Sequence, residues 1–396
     1  MKPGYILLLV TALGTVSAAG AAEQTEDISA SGRLSLQGFG TLGIARSDKD
    51  GAQYVRDLSQ PDGLTTSWSG KIDSMIGLQA SYRINDELDG VVQAISRYRY
   101  DGSYRPELSW AFLRYDPDST LSLRVGRLGT EFYMLADSRM VGYSNLTVRP
   151  PPDYFGMLVF SNFDGLDISK TVPAGNGLLR GKLFAGRSPE KTAFYNDISW
   201  NLSGSLLLGG YLDYLNGPWQ VRLSHAQVRF KDEMPTNSLA GFDAISIAPD
   251  LSVVDKWSRY DSLGVVYDKG PLQLQLMFSQ TKHDTSAFED TKAGYAIAAY
   301  RIGDVTPYLG YSKVKSTPVE FASSIPSYIS SLAGGSHSDQ HTVFLGGRWD
   351  IQHDLDLKAQ VDWIHGSPSS VFLYRPGAPS WDGHMTVFSL ALDFIF

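Results

Sequence analysis

The sequence predicts an all-β chain, a transmembrane antiparallel β-barrel of about sixteen strands, and three observations carry that expectation. About sixteen segments alternate apolar and polar residues at period two, the mark of strands with one greasy and one polar face. Tight turns and long connections strictly alternate between them, so every long loop falls at one end. The polar face also carries too many charges to form a dry core, and it needs water.

In chain order, Lys2 precedes the apolar run Tyr5-Ile-Leu-Leu-Leu-Val10, small residues, and the cleavage sites Val16-Ser-Ala18 or Ala19-Gly-Ala21. This is the pattern of a secretory signal peptide over residues 1–22, ahead of a short polar periplasmic leader at 23–32 and a barrel domain at 33–396. The apolar block is shorter than the ~20 residues a spanning helix needs. No later stretch approaches that length, so strands must do the crossing.

The first strand, near 33–45, sets Leu34, Leu36, Leu42 and Ile44 against Arg33, Ser35, Gln37 and Thr41. The second, Lys71 to Arg83, sets Ile72, Ile76, Leu78 and Tyr82 against Lys71, Asp73, Gln79, Ser81 and Arg83, and ends at the turn Asn85-Asp86-Glu87. Further segments lie near 88–100, 106–116, 119–128, 163–172, 178–186, 203–215, 219–230, 257–268, 271–283, 292–302, 305–315, 341–351, 355–365 and 385–396. Asp116-Pro-Asp-Ser119, Asn216-Gly-Pro218, Asp268-Lys-Gly-Pro271 and Gly303-Asp304 are tight-turn chemistry. The principal long connections are 46–69, 129–162, 187–202, 231–256, 316–340 and 366–384. The last strand puts Phe388, Leu390, Leu392, Phe394 and Phe396 on one face and Ser389, Ala391 and Asp393 on the other. An even strand number returns both termini to the short-turn side.

Composition narrows the chemistry. Cysteine is absent, which excludes a disulfide framework and thiol catalysis. The net charge of −8 becomes −9 once Lys2 is removed, an acidic balance that argues against nucleic acid as a partner. Tyr and Trp near segment ends, among them Tyr82, Tyr98, Tyr115, Trp219, Tyr267 and Trp349, suit interfacial girdles. His337 and His341 have the spacing of a helical metal pair but sit in a Gly/Ser-rich loop context, so neither a metal site nor a cofactor is expected. No Gly-x-Ser-x-Gly elbow supports a hydrolase, and no catalytic residue is assigned.

On lumen parity fall Arg33, Lys71, Arg83, Arg97, Arg99, Arg124, Arg180, Lys182, Arg222, Arg348 and Lys358. The longest connection, Gly129 to Asn162, follows the fifth strand, which ends Val125-Gly-Arg-Leu-Gly129. With its sixteen strands, alternating loops, export signal and terminal Phe396, the chain resembles the trimeric sixteen-stranded outer-membrane porins of Gram-negative bacteria. The resemblance covers nearly all of the mature chain, although the run Arg149-Pro-Pro-Pro-Asp153 is not a hallmark of that family.

The resemblance implies that the loop after the fifth strand folds inward and sets the narrowest point of a pore. Candidate constriction residues are Arg97, Arg99 and Arg124, with Arg139 beside them, faced by Glu131 and Asp137 across a transverse field. Phe396 matches the family's barrel-closure and assembly signal. The implied partners are two further copies in a homotrimer, outer-membrane lipid and lipopolysaccharide, the barrel-assembly machinery and small hydrophilic solutes. The function implied is passive diffusion of small solutes and ions, with no enzymatic activity. A substrate-selective channel is the alternative, with Phe132, Tyr133, Tyr143, Tyr154 and Phe155 as a slide for sugars or aromatic acids. An outer-membrane enzyme or adhesin is a more distant one.

Overall fold

The computed structural model describes residues 33–195, 198–320, 336–370, 374–376 and 381–396. The signal peptide and leader expected over 1–32 lie outside the described residues. Sixteen strands close into one antiparallel barrel, each paired with its neighbours in sequence and the last with the first. They are β1 (Leu34–Ser47), β2 (Met75–Arg83), β3 (Leu88–Arg97), β4 (Glu107–Asp118), β5 (Leu121–Gly129), β6 (Asn162–Ala174), β7 (Gly177–Arg187) and β8 (Leu206–Asn216). The second half comprises β9 (Trp219–Arg229), β10 (Trp257–Lys269), β11 (Leu272–His283), β12 (Asp290–Tyr300), β13 (Val305–Thr317), β14 (Asp339–Gln352), β15 (Leu355–Gly366) and β16 (His384–Ile395).

The period-two pattern resolves into an inverted protein, greasy outside and charged inside. Outward Leu42 and Leu183 are 63% and 66% exposed, whereas inward Asp356, Lys358 and Asp393 are fully buried. Only a surround of lipid makes the first arrangement favourable, and only interior pairing makes the second tolerable. Short turns do collect at one end, where Asn216-Gly217 and Lys269-Gly270 place glycine at φ of 56° and 59°, a left-handed conformation other residues adopt at a cost. No helix of the described residues is long and apolar enough to cross a membrane.

The seam is built by size complementarity. Phe396 and Gly38 exchange backbone hydrogen bonds of 2.7 and 3.0 Å. A side chain on Gly38 would strike the Phe396 ring at 2.2 Å, and one on Gly40 the Phe394 ring at 2.4 Å. The first-strand glycines therefore do not offer a bare surface to another subunit. The rings of Phe394 and Phe396 lie across two of them, and Gly43 faces Asp73 inside.

Strand β2 begins at Met75, four residues later than the alternation suggests. Ile72 and Asp73 instead turn into the interior, each 1% exposed. Lys71 consequently lies off the lumen wall, in a loop, paired with Asp62 at 2.9 Å. Tyr98 likewise leaves the girdle, being 4% exposed and hydrogen-bonded to Asp62. Two small antiparallel pairs brace the long loops, Ala52–Tyr54 with Tyr374–Pro376 and Lys191–Tyr195 with Ile198–Asn201.

Candidate pore constriction

Between β5 and β6 the chain enters the barrel, and every residue from 130 to 161 is buried or half-buried. Its neck is closed by the Thr130 amide donating to the Ser161 carbonyl at 3.0 Å. Prolines 150–152 fix φ along its return limb, and the short helix α1 (Pro152–Phe155) starts with proline in its first turn, where a missing N–H costs no helical hydrogen bond.

Two faces of this loop are held by different forces. One is apolar: the Phe132 ring lies 5.0 Å from Tyr260 on β10 and 6.1 Å from Phe184 on β7, and Tyr154 lies 4.9 Å from Tyr133 and 5.2 Å from Tyr295 on β12. The other is polar. Lys358 donates to the Gly142 carbonyl at 2.7 Å and pairs with Asp393 at 2.9 Å, while Arg348 donates to the Tyr143 carbonyl at 2.7 Å. A side chain on Gly142 would meet Asp393 at 2.0 Å, so the loop's tip approaches β16 as only glycine can.

Arg149 is the centre of the polar face. Its guanidinium, with no exposed surface, pairs with Asp73 at 2.6 Å and with Asp362 on β15 at 3.2 Å, and donates to Ser389 on β16 at 2.6 Å. One side chain thus ties together the inward loop, the first long loop and two wall strands.

The charged cluster at the loop's entry has Glu131 as its node. Arg124 of β5 approaches it at 3.3 Å and Arg222 of β9 at 3.7 Å, and Lys182 of β7 is in direct contact. Asp167 on β6 joins from the wall, 2.5 Å from Arg124 and 3.1 Å from Lys182. Asp213 on β8 holds Arg222 at 2.6 Å and Arg180 at 3.0 Å, and the Arg222 guanidinium lies 3.7 Å over the Tyr211 ring. Burial by itself would raise the Glu131 carboxyl, but Lys182, Arg222 and Arg124 outweigh it and hold it well below the usual carboxylate range. Asp137 behaves in the opposite way: burial and then the adjacent Glu131 charge push it up.

Of the residues the sequence singled out, Arg124, Glu131 and Asp137 meet here. Arg97 does not; it pairs with Glu107 at 3.0 Å and donates to Ser59 at 2.8 Å under the first long loop. Arg99 lies past the end of β3, 3.8 Å from Asp101. Arg139 turns away from the cluster and donates to the Phe160 carbonyl at 3.1 Å and the Ser161 hydroxyl at 2.9 Å. Asp167 and Asp213 escaped notice although both stand on the inward parity of their strands, the signal that marks Arg180, Lys182 and Arg222. Of the loop aromatics, Phe132, Tyr133, Tyr154 and Phe155 are at most 4% exposed and offer no surface to a passing solute, while half-buried Tyr143 donates its hydroxyl to the His353 carbonyl.

Among the described residues no group of three or more His, Asp or Glu is arranged to hold a metal ion. A family model described as Gram-negative porin matches residues 9–369. Among solved structures, the chain is similar to Salmonella typhi OmpF in complex with daunomycin, at 12% identity and a TM-score of 0.57 over 92% of this chain and 97% of that one. It is similar to the anion-selective porin of Comamonas acidovorans at 16% identity and a TM-score of 0.56, over 92% and 99% of the two chains. The trimer form of in-vitro folded OmpT of Vibrio cholerae matches at 13% identity and a TM-score of 0.52, over 92% and 100%. No curated protein sequence matches. At such identities these structures share the fold.

Proposed function

The chain belongs to the Gram-negative porin family and is an outer-membrane channel, not an enzyme; we propose that its pore is narrow and nearly indifferent to the sign of an ion. The observation that carries this reading is the neutrality of the cluster around Glu131. Its four cations, Arg124, Arg180, Lys182 and Arg222, are matched by Glu131, Asp137, Asp167 and Asp213. Glu131, Asp167 and Asp213 touch their cations rather than face them across water, and Asp137 stands within the field of the same cations, so little field is left to sort ions. Small hydrophilic solutes would pass by size, and the packed aromatic face argues against a dedicated sugar or aromatic-acid slide.

Planar-bilayer recordings under a salt gradient test this. The expected result is a reversal potential near zero; a strongly selective one, or block by a micromolar solute, would overturn the reading. Glu131→Gln removes the node's charge and leaves Lys182 and Arg222 in excess, and it should move the reversal potential toward anions. A homotrimer, like that of the Vibrio cholerae protein, contact with lipopolysaccharide and the assembly machinery, and export by residues 1–22 complete the proposal. Cross-linking in membranes and the N-terminal sequence of the mature chain test the first and last of these.

A further inference from the structure

Three of the chain's seven histidines form one row on the outer surface, at the long-loop end of the strands beside the seam. His341 of β14 is the register partner of His365 of β15, which is the register partner of His384 of β16. All three have outward parity, where the neighbouring positions Leu345, Trp363 and Phe388 are apolar. Their ring centroids are 5.4 and 5.2 Å apart. Among the described residues no charged side chain pairs with these three rings: Lys313 is the register partner of His341 on the far side, Asp339 lies on the same strand as His341, and Asp382 accepts from the His384 amide at 3.0 Å.

Directly opposed residues on adjacent strands have Cβ atoms about 4.5–5.5 Å apart. The His341 and His365 rings stack at 12°, so a rotation about the side-chain torsions of one ring would turn its nitrogen toward the other and let two imidazoles share one ion at about 2.0–2.1 Å from each nitrogen. We propose that this row is a surface site for a borderline transition-metal cation, Cu²⁺, Ni²⁺ or Zn²⁺, held by His365 together with either neighbour. The row is linear, so its rings do not converge three at a time, in keeping with the absence of a three-ligand cluster among the described residues. The ion takes two imidazoles, with water completing its shell. Hard cations such as Mg²⁺, which prefer oxygen, are excluded by the donor set. A bound ion would pin β14 to β15 or β15 to β16 at the outer rim.

The test is titration of the folded protein in detergent with Cu²⁺, read by the nitrogen splitting of its electron paramagnetic resonance spectrum and by calorimetry. One ion per chain with two coordinated nitrogens is expected. Because His365 belongs to both pairs, His365→Ala should weaken binding about tenfold or more, while His341→Ala and His384→Ala each leave one pair and cost about twofold. Zn²⁺ should raise the temperature at which the wild-type barrel unfolds but not that of His365→Ala, since only the folded state holds the pair. Equal uptake by the triple His341→Ala, His365→Ala, His384→Ala variant would overturn the assignment. So would an equal loss in His225→Ala, or displacement of Cu²⁺ by equimolar Mg²⁺.

Discussion

The two faces of the inward loop invite comparison, because one chain segment of 32 residues is fixed by opposite kinds of physics. Against β7, β10 and β12 it is glued by Phe132, Tyr133, Tyr154 and Phe155, an apolar contact that ionic screening does not weaken. Against β14, β15 and β16 it is held by Arg149, Lys358 and Arg348, contacts that fix position through geometry and fail if one partner is lost. The apolar side keeps the loop in the barrel, and the ionic side decides where in the barrel its tip rests.

The largest effect should come from the ionic side. Arg149→Ala would leave Asp73 and Asp362 buried without their cation, at a cost of about 3–5 kcal/mol. The expected readout is a lower urea midpoint together with a larger and more variable conductance. Phe132→Ala should cost somewhat less, about 3 kcal/mol for a fully buried ring, and leave the conductance close to wild type, since the tip keeps its ionic seat. If both variants widened the pore equally, the division of labour between the faces would not stand. The two sites share no partner, so their costs should add in the double variant.

A pH-dependent effect concerns the loop's return. Both Glu190 oxygens accept from the Ser161 amide, at 3.1 and 2.9 Å. Burial, aided by nearby Glu107 and opposed by that amide and by Arg139, pushes the Glu190 carboxyl from 4.5 up to about 8. Between these values the folded chain keeps a proton that the unfolded chain gives up. Stability should therefore fall as pH rises through that window and level off above it. Denaturant midpoints across the window would show the slope in wild type and its loss in Glu190→Gln.

Much of this was legible in the sequence, and for a physical reason. A strand between lipid and water must alternate, so sixteen strands and the length of the loop after the fifth could be read from period and spacing, while its inward course was implied by the family resemblance. What period cannot carry is adjacency across the barrel. Arg97 and Arg99 are nearer to Glu131 in sequence than Lys182 and Arg222, yet it is the latter pair that reaches it, because register sets which side chains meet. Arg149 gave still less away. An arginine among three prolines looks like a solvated turn, and only the tertiary fold brings Asp73, Asp362 and Ser389 around it.

The glycine at the loop's tip has a consequence in time as well as in space. Gly142 is wedged against Asp393 and Thr41 and capped by Lys358. A tip so seated cannot wander on the millisecond scale of a recording. The open current should therefore be flat between steps, and Gly142→Ala should make it flicker.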